Sequence, residues 1–587
     1  MAVGSYLMLL AVRMCVCVPL GVVMVLPIWK TRACSSDQDV RQAFDRLQNA
    51  QIALPIADPD PRDYRWTAMQ CSLTRTQLIL ALLAAACSGS GSSPVQGTHP
   101  TTAEGFNKVN HIIIVMMENH SFDNYFGSLA YVPNGAYHTS PVGCAANDHR
   151  CVDGLDCGED PTGGLVCTNS NPDDAGSAVA AFHAPSRCTT PDLAHSWPQS
   201  HLEANFEDPN GALFNSPNDG FVRVNDTGYQ PDNGIETATE DPTMGFYTQE
   251  DLPFYYDLAE KFAIDDRYFA SLMGPTLPNR LYLMAATSFG HAGADSLPNG
   301  EAFKPSSGTI FDLLDSKGIS WADYAEAGRP EAMLVRLPST SAPDPHFRLL
   351  QDFLAAAAGS PGIAQLPQVS WVDAGPKDNE HPPNDIQRGQ AFVSGVINAL
   401  RSGPYWKDSV VFITYDEHGG FYDHVAPPPA SQGAARTPDD LFPGQCADLS
   451  NPPASQQAGA GAHCDDSASE AQSLCPALAQ SPAAQYPDGC ASFDQLGFRV
   501  PFLIVSPFAK PHYVSHTIAD HTSLLAFIEK RFLNADAALG GPDRLHLTLR
   551  DQHADTLEDA FDFENAPSLN TPVIEAQPPS TDCTPSP

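Results

Sequence analysis

Basic residues are scarce in this chain. Its 587 residues include 31 Lys and Arg against 69 Asp and Glu, which gives a formal net charge of −38 at pH 7. Nucleic acids are bound by clusters of Lys and Arg that contact the phosphate backbone, and the chain lacks such clusters. We therefore expect no nucleic acid partner.

Cysteine is absent from residues 189–445, and close Cys-x-x-Cys pairs are missing from the two clusters that flank this stretch. The clusters lie within residues 144–188 and 446–490, in Gly-, Asp-, Pro- and Ala-rich sequence. Zinc sites usually contain close cysteine pairs, so disulfides are the favoured interpretation and zinc the competing one. Disulfides imply an oxidising compartment. We predict two disulfide-bearing loop insertions, near residues 140–190 and 430–495.

The apolar run at residues 78–86 is too short to cross a bilayer, which takes about 20 residues. It follows a short basic segment and precedes Cys87. This is the layout of a signal peptide, predicted over residues 69–87. The Ala-Ala-Ala before Cys87 approximates a bacterial lipoprotein box. We expect a secreted, periplasmic or outer-membrane-anchored bacterial protein, with membrane attachment through a lipidated Cys87 as one form of anchoring.

The remaining chain divides by composition. Residues 1–68 are predicted to be an upstream extension from a wrongly assigned start, and the alternative is a genuine anchor at residues 14–29. Residues 88–105 form a flexible linker rich in Ser, Gly, Pro and Thr. We predict one folded domain over residues 106–565 and a disordered tail over residues 566–587. The sequence shows no internal repeat.

Four apolar runs predict buried strands, at residues 110–117, 367–372, 410–413 and 500–505. They alternate with segments of helical pattern, which is typical of a parallel sheet covered on both faces. The predicted fold class is α/β, with a mostly parallel central sheet and helices on both faces.

Acidic and amide residues follow several of these strands. Glu118 and Asn119 follow the first, and Asp416 and Glu417 follow residues 410–415, before a tight turn at two glycines. Open α/β sheets bind ligands at the carboxyl ends of their strands. Gathered carboxylates repel one another unless a cation is present, and oxygen ligands suit hard divalent cations. The pattern favours a metal site, and the alternative is an ordinary polar loop.

The segment GPTLPNR, residues 274–280, leads into an apolar helical segment. A threonine before proline in a first turn is good N-cap chemistry, so Thr276 is interpretable as a simple cap. The alternative is functional, because free N–H groups at a helix N-terminus bind phosphate and would place it against the Thr276 hydroxyl. Asn279 and Arg280 would add donors there, or Arg280 would pair with acidic residues of the sheet.

Seven segments, in order, together resemble the bacterial phosphoesterase family that contains phosphatidylcholine-type phospholipases C and a related acid phosphatase of the alkaline phosphatase superfamily. They span nearly all of residues 106–535 and are MMENHSFDNYFG (116–127), DLPFYYDLAEKFAIDDRYF (251–269), GPTLPNR (274–280), EHPPNDI (380–386), TYDEHGGFYDHVAPP (414–428), GFRVPFLIVSPFAK (497–510) and DHTSLLAFIEKRF (520–532). The resemblance implies an alkaline phosphatase-like α/β core, with residues 106–565 as the catalytic domain.

The resemblance also implies roles for individual residues. One divalent metal ion, of unknown identity, would be held by Glu118, Asn119, Asp416 and Glu417. Catalysis would use Thr276 as nucleophile, with His195 and His381 contacting phosphate or transferring protons. Substrate binding would involve Asn119, Arg280, His424 and His521. Asp520 is interpretable as a helix cap, and His201 and His418 as loop residues.

These roles predict a metal-dependent hydrolase of phosphoric esters, phospholipase C-like or acid phosphatase-like, with a phospho-threonine intermediate. Its substrate would be a small phosphoester or a phospholipid head group. The chain stops soon after the DHTS segment, without the extra β-rich domains of larger phospholipases C, which favours a substrate other than a lipid. One alternative is a sulfatase-like hydrolase, although a threonine does not form the formylglycine such enzymes use. The other is a non-catalytic surface binding protein on a hydrolase scaffold.

Overall fold

The computed structural model describes most of residues 103–569, with its longer gaps at 205–216, 226–241, 296–301, 337–343, 431–492 and 534–544. The chain divides into two units, Met1–His99 and Pro100–Pro587. In the first, the strands Ile52–Ile56 and Arg65–Met69 pair antiparallel. Residues 70–87 of the predicted signal peptide, the second cysteine cluster and most of the tail lie outside the described residues, so export and the lipidation of Cys87 stay predictions.

The second unit is built on an eight-stranded sheet with the order β4-β3-β5-β1-β6-β7-β2-β8. Its strands are β1 (His111–Met117), β2 (Ala263–Asp265), β3 (Trp321–Ala325), β4 (Phe347–Leu349), β5 (Val369–Asp373), β6 (Ser409–Tyr415), β7 (Leu503–Val505) and β8 (Tyr513–Ser515). Within this sheet, β7 is antiparallel to both neighbours and all other neighbours run parallel. The prediction of a mostly parallel sheet is confirmed.

Helices connect and cover these strands. In chain order they are α1 (Ala103–Phe106), α2 (Phe122–Phe126), α3 (Trp197–Ala204), α4 (Phe221–Asn225), α5 (Pro253–Lys261), α6 (Thr276–Ala285), α7 (Ile310–Lys317), α8 (Leu350–Ala357), α9 (Ile386–Ser402), α10 (His521–Leu533) and α11 (Leu549–His553). Every residue of β6 is buried. Because alternate side chains of a strand point to opposite faces, both faces of the sheet are covered at its centre, as predicted.

The register of the two central strands positions the site. β1 and β6 pair in parallel from Ser409 opposite His111 to Tyr415 opposite Met117. The residues that follow these strands therefore leave the same edge of the sheet side by side. This is the carboxyl edge, where α/β folds place their ligands.

The first cysteine cluster forms disulfides, as predicted. Cys144 is bonded to Cys151 and Cys157 to Cys167, and Cys188 is also disulfide-bonded. The second bond joins two short antiparallel strands, Cys157–Glu159 and Leu165–Cys167. These disulfides cross-link an insertion that has little regular secondary structure. In the described part of the chain, no helix has the length and apolar character that a membrane span requires.

Candidate active site

The loops after β1 and β6 lock together at the sheet edge. The Asn119 backbone N–H donates to Asp416 Oδ1 at 3.1 Å, and Asn119 has a left-handed backbone with φ of 66°. Gly419 has φ of 64°, and a Cβ there would lie 2.3 Å from the Asn119 carbonyl oxygen. Glycine is therefore required for this close approach. The structure brings Asn119, Asp416 and Glu417 together, as predicted.

Three buried oxygens in this cluster lack a hydrogen bond within the described residues. They are Asn119 Oδ1, Asp416 Oδ2 and Glu417 Oε1, and all three residues are fully buried. Leaving buried acceptors unpaired costs free energy, so such groups normally have a partner. One amide and two carboxylate oxygens are ligands that a hard divalent cation prefers. The residues at this edge therefore fit a bound divalent cation.

Arg280 fills the other side of the cluster. Its Nη2 donates to Glu118 Oε1 at 2.9 Å, its Nη1 pairs with Glu331, and its Nε lies 3.5 Å from Asp416 Oδ2. The alternative in which Arg280 pairs with acidic residues near the sheet is the one observed. Burial raises the pKa of the Asp416 carboxyl, and the Arg280 guanidinium opposes this effect.

The three predicted carboxylate ligands, Glu118, Asp416 and Glu417, do not converge in this structure. Four groups of His, Cys, Asp and Glu in the described chain bring their ligand atoms within 4.8 Å of one another, and none contains Glu118, Asp416 or Glu417. These three residues therefore do not place one oxygen each within 4.8 Å of the other two. Arg280 contacts both Glu118 and Asp416.

His195 lies beside the three oxygens, as predicted. Its Nε2 is 3.5 Å from Asn119 Nδ2 and 3.8 Å from Glu417 Oε1. Its Nδ1 donates to the Leu193 carbonyl at 2.7 Å, so Nε2 faces the cluster. Burial acts to lower the pKa of His195, but Glu417 and Asp192 outweigh it and raise the pKa above its usual value. His195 Nε2 therefore faces the cluster on a ring whose protonated form the neighbouring carboxylates favour.

His381 lies next to this group and is linked to it by Asp192. Asp192 Oδ2 is 4.0 Å from His381 Nε2, and Asp192 Oδ1 is 3.9 Å from His195 Nδ1. His381 Nδ1 contacts the Pro382 carbonyl at 2.6 Å. The two predicted catalytic histidines thus share one carboxylate, a contact that no sequence motif indicated.

Glu380, like Asp192, is a residue to which the sequence analysis gave no role. Its buried carboxylate accepts hydrogen bonds from the hydroxyls of Tyr125 at 2.7 Å, Tyr255 at 2.8 Å and Tyr415 at 2.5 Å. Burial raises its pKa to about 7, against the three hydrogen bonds, which lower it. Because Tyr415 ends β6 and Tyr125 lies on α2, Glu380 ties the His381 loop to both strand exits.

Thr276 is the first residue of α6. The N-cap is Pro275, and no side chain caps the helix, so the interpretation of Thr276 as a cap is wrong. Within the described residues, no hydrogen bond engages the Thr276 hydroxyl. Arg280 lies four residues further on, which places both residues on one face of the helix. The helix that carries Thr276 is thus attached to the Glu118–Asp416 pair through Arg280.

Asn279 supports the loop before α6 and does not serve as a free donor. Its Oδ1 accepts from the Leu272 N–H at 3.0 Å, and its Nδ2 donates to the carbonyls of Leu272, Gly274 and Pro275. All these partners are backbone groups of the loop that leads to Thr276. The suggestion that Asn279 adds a donor for phosphate is therefore not supported.

The structure does not bring His424 to the cluster. Its Nδ1 contacts Asp123 Oδ2 at 2.7 Å and its Nε2 lies 3.4 Å from Asp153 Oδ1, within a buried group centred on Arg499. His521 is close but fully buried, with its Nε2 at 2.8 Å from the Asp416 carbonyl. The Tyr268 hydroxyl lies 3.3 Å from His521 Nδ1, so both nitrogens of each ring have a partner, and this geometry does not support the predicted roles of His424 and His521 in substrate binding.

His201 and His418 were predicted to be loop residues; this is wrong for His201, which lies on α3, whereas His418 does lie in the loop after β6. His201 is buried on α3, with Nδ1 at 2.7 Å from the Trp197 carbonyl. His418 is buried between Glu203 and Glu417. Asp520, by contrast, is the predicted cap, since its Oδ1 accepts from the Thr522 N–H at 2.7 Å.

His201 supplies a test of acid sensitivity. Burial lowers its pKa from 6.5 to about 4, so the unfolded chain takes up the proton first as the pH falls. The contribution of neutral His201 to the free energy of unfolding is complete above pH 6.5, the pKa of this histidine in the unfolded chain. It is lost as the pH falls towards 4. We expect the free energy of unfolding to drop between pH 7 and pH 4.5 by about 2 kcal/mol more in the wild type than in His201→Gln.

Urea denaturation at the two pH values measures this difference. The matched control is Ser200→Ala, a buried substitution on the same helix that changes no titrating group and should keep the wild-type pH dependence. An equal loss of stability in His201→Gln and the wild type would contradict the burial of a neutral His201.

A cluster of oxygens with two histidines lies at the carboxyl edge of a mostly parallel sheet. This arrangement is typical of the active site of an α/β enzyme. Comparison with known sequences gives its family. The sequence profile of the Phosphoesterase family matches residues 109–533. The chain belongs to the Phosphoesterase family, as its motifs predicted, and the predicted enzyme class, a hydrolase of phosphoester bonds, is confirmed.

Among similar curated proteins is phospholipase C B of Mycobacterium tuberculosis, 29% identical over 515 residues, which covers 81% of this chain and 83% of the relative. Non-specific phospholipase C4 of Arabidopsis thaliana is 27% identical over 502 residues, with 83% and 76% covered. Non-hemolytic phospholipase C of Burkholderia pseudomallei is 28% identical over 466 residues, with 72% and 55% covered.

Solved structures show weaker similarity. A murine ectonucleotide pyrophosphatase/phosphodiesterase 5 in complex with AMP has 10% identity and a TM-score of 0.29, with 53% of this chain and 94% of that chain covered. An alkaline phosphatase superfamily protein of Vibrio parahaemolyticus has 11% identity and a TM-score of 0.24, with 52% and 63% covered.

Proposed function

We propose that this chain is a metal-dependent phosphoester hydrolase of the phospholipase C type, with Thr276 as the nucleophile. The observation that carries the proposal is the set of three buried oxygens on Asn119, Asp416 and Glu417 that make no hydrogen bond within the described residues. They lie in one cluster with Arg280, which is one helical turn from Thr276. The names of the similar curated proteins support the phosphodiester substrate.

The first half of the reaction uses α6 and His195. Thr276 first releases its hydroxyl proton to solvent, and its Oγ1 then attacks phosphorus as an alkoxide while the bond from phosphorus to the leaving alcohol breaks. Unpaired N–H groups in the first turn of α6 hold the phosphoryl oxygens. His195 Nε2 gives its proton to the departing oxygen, and a phospho-threonine remains. Asn119, Asp416 and Glu417 would hold the divalent cation, which would supply positive charge that lowers the pKa of the Thr276 hydroxyl and balances the charge on phosphate.

The second half returns the enzyme to its starting state. Water attacks phosphorus from the opposite side, and the bond to Thr276 Oγ1 breaks. His195 Nε2, neutral after the first step, takes a proton from this water. Asp192, which lies near His195, stabilises the cationic form of that ring. Positioning and charge stabilisation account for most of the rate in phosphoryl transfer.

We assign Arg280 to positioning and not to substrate binding. Its guanidinium faces the carboxylates of Glu118, Glu331 and Asp416, so its charge is already balanced. It is also buried, with a side chain 4% exposed. An arginine held in this way orients the carboxylates and ties α6 to the sheet edge.

A substrate panel with metal removal tests the proposal. The full chain would be treated with EDTA and dialysed, then assayed on phosphatidylcholine vesicles, p-nitrophenylphosphorylcholine and p-nitrophenyl phosphate. We expect hydrolysis to fall to background without metal and to return when Mg²⁺, Ca²⁺, Mn²⁺ or Zn²⁺ is added one at a time. The two choline esters should be cleaved faster than the monoester, whereas a preference for the monoester would indicate the acid phosphatase alternative.

Two variants link the metal requirement to the cluster. Asp416→Asn removes one charged oxygen and should lower both activity and the metal dependence of activity. The control Asp257→Asn removes an exposed carboxylate on α5 that pairs with Lys261, and it should leave both unchanged. Full activity of protein shown by elemental analysis to be free of metal would refute the metal requirement.

A further inference from the structure

Glu203 and His418 form a buried chain of polar groups that ends on Glu417. His418 places Nε2 at 2.8 Å from Glu203 Oε2 and Nδ1 at 3.3 Å from Glu417 Oε2. The side chains of Glu203 and Glu417 are 0% exposed, and that of His418 is 2% exposed. The histidine therefore lies between two carboxylates and faces one with each ring nitrogen.

The two oxygens of Glu417 have different surroundings. Oε2 accepts from the Gly419 N–H at 2.7 Å and faces His418. Oε1 has no hydrogen bond within the described residues and lies 3.8 Å from His195 Nε2. A carboxylate that is held through one oxygen presents the other in a fixed direction. The oxygen presented to the cluster is Oε1.

Glu203 is itself fixed by a neighbouring helix. Glu203 lies on α3, and Asn225 on α4 places Nδ2 at 3.5 Å from its Oε1. Asn225 Oδ1 accepts from the Ala194 N–H at 2.9 Å, next to His195 in the chain. Glu203 is thus connected to the His195 segment as well as to Glu417.

Aromatic rings close the space around His418. Phe221 and Phe498 lie with their ring centroids 6.0 and 4.5 Å from the imidazole. An apolar enclosure strengthens the polar contacts inside it, because water does not compete for them. The three contacting side chains of Glu203, His418 and Glu417 are therefore well suited to hold a fixed geometry.

We propose that Glu203 is a positioning residue which, through His418, orients Glu417 so that its Oε1 points to a bound divalent cation. The inference rests on the proposed function, in which Glu417 is a metal ligand. Outer partners of metal ligands typically contribute about 10- to 100-fold to metal affinity. Glu203 therefore sets the affinity for the cation without touching it.

The first test is metal binding by Glu203→Gln. This substitution keeps the shape of the side chain and an oxygen that accepts from His418, but it removes the charge. Titration calorimetry on the full chain after chelation would use Mn²⁺, Ca²⁺, Mg²⁺ and Zn²⁺ separately. We expect the Kd of the cation that the wild type binds best to rise about 10- to 100-fold. In EDTA, the Tm of Glu203→Gln should lie below that of the wild type, because the substitution removes one partner of a buried pair, so the Kd is compared in protein that circular dichroism shows to be folded.

The matched control is Asp266→Asn. Asp266 is a fully buried carboxylate that pairs with a histidine, His516 Nδ1, at 2.7 Å, and it has no contact with Glu417. Its replacement should leave the Kd for the cation unchanged. An increase in Kd as large as that of Glu203→Gln would show a general effect of removing a buried charge and would overturn the proposal.

A second variant, His418→Gln, keeps the proposal testable if Glu203→Gln does not fold. It should raise the Kd in the same way. If Glu203 acts only through His418, Glu203→Gln should add no further increase in the His418→Gln background. An unchanged Kd in a folded variant would overturn the positioning role alone. Failure of the wild type to bind any of the four cations would overturn the proposed metal dependence, and the positioning role with it.

Discussion

Thr276→Ala should reduce hydrolysis on the order of 10⁴-fold or more and leave the fold intact, because it removes the attacking hydroxyl. The hydroxyl makes no hydrogen bond within the described chain, so the free energy of unfolding should change by less than about 0.5 kcal/mol. Thr276→Ser keeps an attacking hydroxyl and should recover part of the activity. Rates on a choline phosphoester and urea denaturation measure the two effects.

Thr309 provides the matched control, because it is the threonine at the start of α7. Its side chain accepts from the Asp312 N–H in a capping box, which Thr276 lacks. Thr309→Ala should therefore lose about 1 kcal/mol of stability and keep its activity. Thr276→Ala should therefore lower turnover and leave stability unchanged, whereas Thr309→Ala should lower stability and leave turnover unchanged.

A phosphoryl group trapped on the enzyme would locate the nucleophile directly. Rapid acid quenching during turnover, followed by mass spectrometry, should find the added mass on the peptide that contains Thr276. Turnover of Thr276→Ala within tenfold of the wild type would refute the role, as would trapping the group on another residue.

Arg499→Met should destabilise the protein more than any other single substitution considered. Arg499 is fully buried and donates to Asp423 Oδ1 at 2.9 Å and to Asp123 Oδ1 at 3.0 Å. Its Nη1 donates to the carbonyls of Asp153 and Asp266. Removing one partner of a buried ion pair leaves an uncompensated charge and costs about 3–5 kcal/mol.

The remaining charges explain why the loss should be large. His424 contacts Asp123 and Asp153, and these carboxylates raise its pKa to about 10 against the effect of burial. Three cations, Arg499, His424 and Arg267, face the carboxylates of Asp123, Asp423 and Asp153, so removing Arg499 leaves two cations for three carboxylates. Without Arg499, Asp423 keeps only backbone N–H partners among the described residues.

Urea denaturation at pH 7 measures the loss, and Arg223→Met is the control. Arg223 is 36% exposed and pairs with Asp219 one helical turn away, so its removal should cost about 0.5 kcal/mol or less. At pH 5 the difference between wild type and Arg499→Met should shrink, because the freed carboxyls take up protons. A loss below about 1 kcal/mol at pH 7 would contradict the central place of Arg499.

The strands of the site were predictable because their signal is local. The run at residues 410–413 consists of β-branched and aromatic residues and corresponds to the centre of β6. Residues 110–117 correspond closely to β1. The antiparallel direction of β7 was not predictable, because its residues show only that the strand is buried.

The partners of the charged residues were not predictable, because they lie far apart in the chain. His418 pairs with Glu203 across 215 residues, and Arg499 pairs with Asp123 across 376. A histidine in a Gly-rich turn has the sequence pattern of a loop residue whether or not it contacts a carboxylate in the folded protein. The same limit explains why His424 was predicted at the site and is found with Arg499.

Local sequence pattern was sufficient for the family, the α/β class and the polar residues that leave β1 and β6, because strand burial and turn glycines depend on neighbouring residues. Tertiary packing decided which of those residues keep an oxygen without a hydrogen bond in the described part of the chain. Asn119, Asp416 and Glu417 do so, although Arg280 Nε lies 3.5 Å from Asp416 Oδ2, whereas Glu118 Oε1 accepts from Arg280. The reason is physical: pairing and desolvation depend on groups brought together from distant parts of the chain, and these exist as neighbours only in the folded protein.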